Sequence, residues 1–222
     1  MKPREIWQIR LLLLGFCLAA GAVLALCAMS SARQPDYVGR NLTSQEAEEV
    51  TGRNSSLIDY IYLSPNADFP RKSAIQKLTI HHMAENLTLE ELGASFAQRD
   101  RRASSNYAID SGGRVALYVE ECNRAWSSSN RENDDQAVTI EVANDEIGGS
   151  WHVSDEAYAA LLDLCTDICR RNGIRELRFT GDVSGNLTLH SMFVSDTECP
   201  GPYLRSRIGE IAEEVTRRLK ET

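Results

Sequence analysis

The chain reads as an α/β protein with a single mixed central β-sheet flanked by helices, preceded by a hydrophobic N-terminal segment. Three observations predict this. From Lys77 onward the short β-branched runs KLTI, RVALYV and AVTIEV are each bounded by turn residues. Helix-length segments lie between and after them, each with one apolar stripe that has to be covered, and a sheet is the natural cover. The length of 222 residues suits one medium-sized domain plus an appendage.

Taken in order, residues 11–32 (LLLLGFCLAAGAVLALCAMSSA) contain no charged side chain, and the preceding ten carry Lys2, Arg4 and Arg10 against Glu5. Roughly 20 apolar residues span a bilayer as a helix, and the positive flank stays cytoplasmic. Residues 1–32 are therefore read as a cytoplasmic flank with a membrane anchor or signal segment, and the bulk of the chain is expected to be extracytoplasmic. The length of the run favours an anchor; the small residues Ser30 and Ala32 leave open cleavage and secretion. Residues 33–75 are polar and read as a spacer, with a short helical candidate near Ser44–Val50, and residues 76–222 as the domain. Thr88 followed by Glu91 is a capping box ahead of a helix through about Gln98. The SGG turn at 111–113 predicts a hairpin bracketing Tyr107 and Val115. Ser154 caps a helix with apolar residues at Tyr158, Leu161, Leu162, Cys165, Ile168 and Cys169, which stops at Asn172–Gly173. A last helix repeats Leu204, Ile208, Ile211, Val215 and Leu219.

A net charge of −8 without any Lys/Arg-rich run excludes a nucleic-acid partner, which would need a clustered positive surface. The six cysteines show no CxxC spacing. Cys165 and Cys169, four apart on one helix, read as two buried thiols.

Four histidines are present, and their placement carries information. His81 closes the strand KLTI, a common place for site residues in α/β folds, with His82 pointing the other way. His190 lies nine residues before Cys199, which directly precedes Pro200–Gly201–Pro202, a rigid turn that presents a thiol. Two imidazoles and one thiolate suit Zn²⁺, and three protein ligands leave a fourth position for water. On spacing alone, a buried thiol and a core histidine explain Cys199 and His190 as well. Alternation in AVTIEV sets Glu141 on the face away from Val138, Ile140 and Val142, where it is either functional or simply solvated. Arg124 and Trp126 either line a groove or pack, and His152 reads as a surface residue.

The strand ending in IHH, the SSNYAID-SGG-RVALYVEE hairpin, NRAW, the strand TIEVAN, and LHSMF followed by TECPGPYL occur in this order between about Leu78 and Leu204. In this the chain resembles the zinc-dependent N-acetylmuramoyl-L-alanine amidases, whose fold is shared by phage-type amidases and peptidoglycan recognition proteins. The resemblance implies metal ligands at His81, His190 and Cys199, a tyrosine near the metal at Tyr107 and a general base at Glu141. Some members carry a lysine two residues before the third ligand, where this chain has Thr197, so the Thr hydroxyl is a candidate for electrophilic help. The implied cofactor is Zn²⁺ and the implied substrate is peptidoglycan, cleaved between the lactyl group of N-acetylmuramic acid and the first L-alanine of the stem peptide. Tyr107 and Thr197 are then expected to stabilise the oxyanion. The rival expectation is a non-catalytic peptidoglycan-binding receptor of the same fold, against which the presence of Cys199 speaks.

Overall fold

The computed structural model describes residues 34–221, which form one unit. The segment read as a membrane anchor, residues 11–32, lies outside the described residues; among those described, no helix is long and apolar enough to cross a membrane.

The elements run α1 (Ser44–Arg53), β1 (Ile58–Ile61), β2 (Ala67–Asp68), β3 (Lys77–His82), α2 (Leu89–Ala97), β4 (Tyr107–Ile109), β5 (Val115–Leu117), β6 (Arg124–Ala125), α3 (Arg131–Gln136), β7 (Ala137–Val142), α4 (Asp155–Arg171), β8 (Leu187–Leu189) and α5 (Gly201–Lys220). Six strands form the main sheet in the order β1-β5-β4-β7-β3-β8, and β2 pairs with β6 in a small second sheet. Every neighbouring pair in the main sheet is parallel except the β4–β5 hairpin. The sheet is thus mixed and mostly parallel, and helices flank it.

Side-chain alternation divides the sheet into two unlike faces. Leu78, Ile80, Val138, Ile140, Leu187, Leu189, Tyr107 and Leu117 fall on one face and build the main core with α4 and α5. Those helices pack through Leu161, Leu164, Cys165 and Ile168 and through Leu204, Ile208, Ile211 and Val215, all buried. Each such side chain contributes about 1.5–3 kcal/mol by leaving water. The other face carries Ala108 and Ala116, roofed by α2 through Leu89, Leu92 and Phe96. Beside them lies a polar strip: Thr79, Thr139 and Thr188, then His81 and Glu141 at the carboxyl ends of their strands. The strip is internally satisfied, with Thr79 Oγ1 2.9 Å from Thr188 Oγ1 and the Thr139 amide donating to Asn106 Oδ1 at 3.1 Å.

The helix starts follow from the sequence. Thr88 and Glu91 make the reciprocal capping box, Ser154 Oγ accepts the Ala157 amide, and Cys165 and Cys169 are free buried thiols. The reading of residues 33–75 as a spacer is corrected. Strand β1 pairs with β5 at the sheet edge, Val50 and Leu63 enter the main core, and Thr43 with Glu46 caps α1. Arg71 stitches this stretch to the rest by donating to the carbonyls of Glu121, Asn123, Asp135 and Ala137 at 2.6–3.1 Å. A four-residue edge strand with a half-buried pattern has too few apolar positions to stand out in a sequence.

Candidate metal centre

Three chain segments meet at the carboxyl ends of β3, β7 and β8, where open α/β sheets hold their ligands. His81 is the fifth residue of β3 and pairs in register with Glu141 of β7, so both side chains leave the same face. Leu189, paired with Ile80, ends β8 on the core face, and the next residue, His190, opens a 3₁₀ turn beside His81. The two imidazole centroids are 4.8 Å apart. Cys199 arrives from the turn ahead of α5, fixed by the Ser191 amide donating to the Cys199 carbonyl at 3.1 Å and by its own amide donating to Thr197 Oγ1 at 3.2 Å. Gly201 follows with φ +81°; a Cβ there would stand 2.9 Å from the His82 ring, so the turn can press on β3 only with glycine at this position.

The sulfur of Cys199 lies 3.6 Å from His81 Nδ1, and the ligand atoms of His81, His190 and Cys199 all fall within 4.8 Å of one another. His81 is 1% exposed and Cys199 6%. Glu141 Oε1 is 3.9 Å from His81 Nδ1. Burial, with the neighbouring His190 and His82 adding to it, holds His81 well below the ordinary histidine range, and burial also lowers His190. The Cys199 thiol is pushed up by burial and by the Glu141 carboxylate, against which the His82 backbone amide hydrogen-bonds its sulfur. Glu141 is pushed up to about 8 by burial, opposed by the charge of Arg101.

Two imidazoles and a thiol, with a carboxylate beside them, gather nitrogen, sulfur and oxygen donors of the kind that hold a cation. Among the described buried atoms without a hydrogen-bond partner are His190 Nε2 and Glu141 Oε2 in the cluster and His82 Nδ1 beside it. Orphaned buried polar atoms cost stability unless a ligand meets them. The donor set therefore fits a metal ion.

Of the residues expected from sequence, His81, His190, Cys199 and Glu141 come together, and Thr197 sits two residues from Cys199 with its oxygen on the Cys199 amide. Tyr107 does not join them. Its register partner is Ile140, on the core face, where it is fully buried and donates its hydroxyl to Glu121 Oε1 at 2.7 Å. The expected role of Tyr107 at the metal is thereby corrected: one step of alternation turns it through the sheet, and inter-strand register is what a single sequence withholds. Arg124 and Trp126 both bind Asp68, by a guanidinium contact of 2.8 Å and an indole contact of 2.9 Å, so they pack. His152 is a surface residue paired with Asp145 at 2.7 Å. The sequence reading missed Ser127, whose hydroxyl is 3.0 Å from His81 Nε2. It stands in a run of three serines, which carries no signal.

The family model described as N-acetylmuramoyl-L-alanine amidase matches residues 71–202. No curated protein sequence matches the chain. Among solved structures, the chain is similar to PlyL (TM-score 0.55, 15% identity, covering 71% of this chain and 96% of that one). It is also similar to the catalytic domain of XlyA (TM-score 0.54, 13% identity, 71% and 99% covered). A third likeness is to the selenomethionine derivative of AmpD (TM-score 0.51, 18% identity, 72% and 93% covered). At these identities the likeness is one of fold.

Proposed function

Because this chain belongs to the N-acetylmuramoyl-L-alanine amidase family and acts as a peptidoglycan amidase, we propose that it hydrolyses the amide between N-acetylmuramic acid and L-alanine with one zinc ion held by His81, His190 and Cys199. The observation that carries this reading is the convergence of two imidazoles and a thiol within 4.8 Å, beside a carboxylate whose second oxygen has no partner. Nitrogen and sulfur donors in this number suit Zn²⁺ and leave one position open. When bound, the ion supplies Lewis acidity, lowering the pKa of water from 15.7 to about 7 and polarising the scissile carbonyl.

The protein's own groups do the rest. Glu141 takes the proton from the attacking water as the oxygen joins the carbonyl carbon, and returns it to the leaving nitrogen as the C–N bond breaks, so one proton shuttles and none is lost. Burial raises this carboxyl, and a positive charge beside it acts in the opposite direction, favouring the ionised form that accepts a proton. Thr197 accepts the Cys199 amide through Oγ1, which leaves its hydroxyl proton free for the oxyanion. The test is release of free L-alanine amino termini from purified peptidoglycan by the zinc-replete protein. Binding to peptidoglycan without release would return the non-catalytic receptor reading.

Residues 11–32 are proposed to place the domain on the outer face of the membrane, as an anchor or a cleaved signal, on the grounds of their length, absence of charge and positive flank. Protease shaving of intact protoplasts checks this: an accessible domain is expected, and a protected or cytosolic one contradicts it.

A further inference from the structure

The two ring nitrogens of His81 face different neighbours. Nδ1 looks into the cluster, 3.6 Å from the Cys199 sulfur, while Nε2 lies 3.0 Å from Ser127 Oγ. A neutral imidazole carries one N–H, and whichever nitrogen donates leaves the other with a free lone pair. With Nε2–H donating to Ser127 Oγ, the lone pair of Nδ1 is the one offered to the metal.

Ser127 is held from behind. Its amide donates to Asp134 Oδ2 at 3.1 Å, and the next residue, Ser128, gives Asp134 Oδ1 both its amide at 3.0 Å and its hydroxyl at 2.6 Å. Asp134 is 2% exposed and sits in α3. Its neighbour Asn133 donates to Ser128 Oγ at 3.2 Å and to Thr79 Oγ1 at 2.9 Å, two residues before His81 on the same face of β3. One short helix thus pins both the strand that carries the ligand and the turn that carries its hydroxyl partner.

We propose that Ser127 is a positioning residue for His81, its hydroxyl fixing the tautomer and rotation that offer Nδ1 to the metal, with Asp134 anchoring the turn that carries it. The inference rests on the zinc reading above. Partners of this kind, behind a ligand histidine, typically contribute about 10- to 100-fold to metal affinity.

The experiment measures zinc affinity of the full-length wild type, Ser127→Ala and Ser127→Thr by competition with a chromophoric chelator, together with the visible spectra of the Co²⁺-loaded forms. Ser127→Ala is expected to lose about 10- to 100-fold in affinity and to shift the Co²⁺ bands. Ser127→Thr, which keeps the hydroxyl, is expected within a few-fold of wild type. Wild-type affinity and spectrum in Ser127→Ala, or equal weakening in both variants, overturns the proposal. A measurement that needs no variant is the ¹⁵N signature of His81 in metal-free wild type: a protonated Nε2 is expected, and a protonated Nδ1 overturns it. A wild type that takes up no zinc removes the zinc reading and this inference together, whereas normal wild-type uptake with an indifferent Ser127→Ala removes only the inference.

Discussion

In the proposed reaction Glu141 carries the proton, and its placement makes two separable predictions. In the metal-loaded enzyme, Glu141→Gln keeps the shape and removes the acceptor, so the rate is expected to fall by about 100- to 10,000-fold, the usual range for general acid-base catalysis, with zinc content unchanged. A rate within a few-fold of wild type assigns the base elsewhere. In the metal-free protein the carboxyl is raised from 4.5 to about 8, so the folded state holds its proton more tightly than the unfolded chain. Its contribution is complete below the lower value and fades as pH rises through the upper one, at about 1.36 kcal/mol per unit. Urea unfolding of chelator-treated protein at pH 5 and pH 8.5 is expected to show a larger loss in wild type than in Glu141→Gln, and equal losses contradict the shift. Tyr107 offers the contrast. Its hydroxyl meets Glu121, which also takes Arg171 and Asn172, so Tyr107→Phe is expected to cost about 1–2 kcal/mol of stability and leave turnover within a few-fold. A 100-fold loss of turnover at full stability would put Tyr107 back in the reaction. The difference between the two residues marks what the sequence could tell. His81, His190, Cys199 and Glu141 stand out in the sequence as rare types near strand ends or by alternation, yet spacing left each an ordinary alternative and the family resemblance is what singled them out, while Tyr107 and Ser127 depend on what lies across the fold.

Among the elements at the site, β3 and β7 are plain in the sequence, and the shortest, β8, is the hardest to read. Strand β8 has three residues, yet its pairing with β3 is what delivers His190 to His81. LTL between polar turns gives neither a period nor a run long enough to declare a strand. The long elements with full apolar stripes, α4 and α5, were plain in the sequence because the core they bury dictates the spacing. Residues 34–75 fall between these cases: β1 and Arg71 belong to the domain through edge pairing and backbone carbonyls, neither of which leaves a compositional mark. A fragment of residues 76–222 is therefore expected to melt broadly and at lower temperature by circular dichroism than one of residues 34–222. Coincident cooperative transitions would return the stretch to the status of a linker.

At the scale of the molecule, the two faces of the sheet divide the labour. The face under α4 and α5 is apolar and closed, and supplies the rigidity on which positions near an ångström depend. The opposite face is polar, roofed at one end by α2 and paired in its middle by the threonines, and it gathers His81, His190, Cys199 and Glu141 at the strand ends, where His190 Nε2 and Glu141 Oε2 are among the described buried atoms without a hydrogen-bond partner. Whether this cluster holds a catalytic zinc is read from bound zinc per chain, with peptidoglycan turnover, for wild type and Cys199→Ser. One zinc and release of L-alanine amino termini are expected for wild type, and loss of both in the variant. Full zinc occupancy with unchanged turnover in Cys199→Ser would take Cys199 out of the site and overturn the zinc triad.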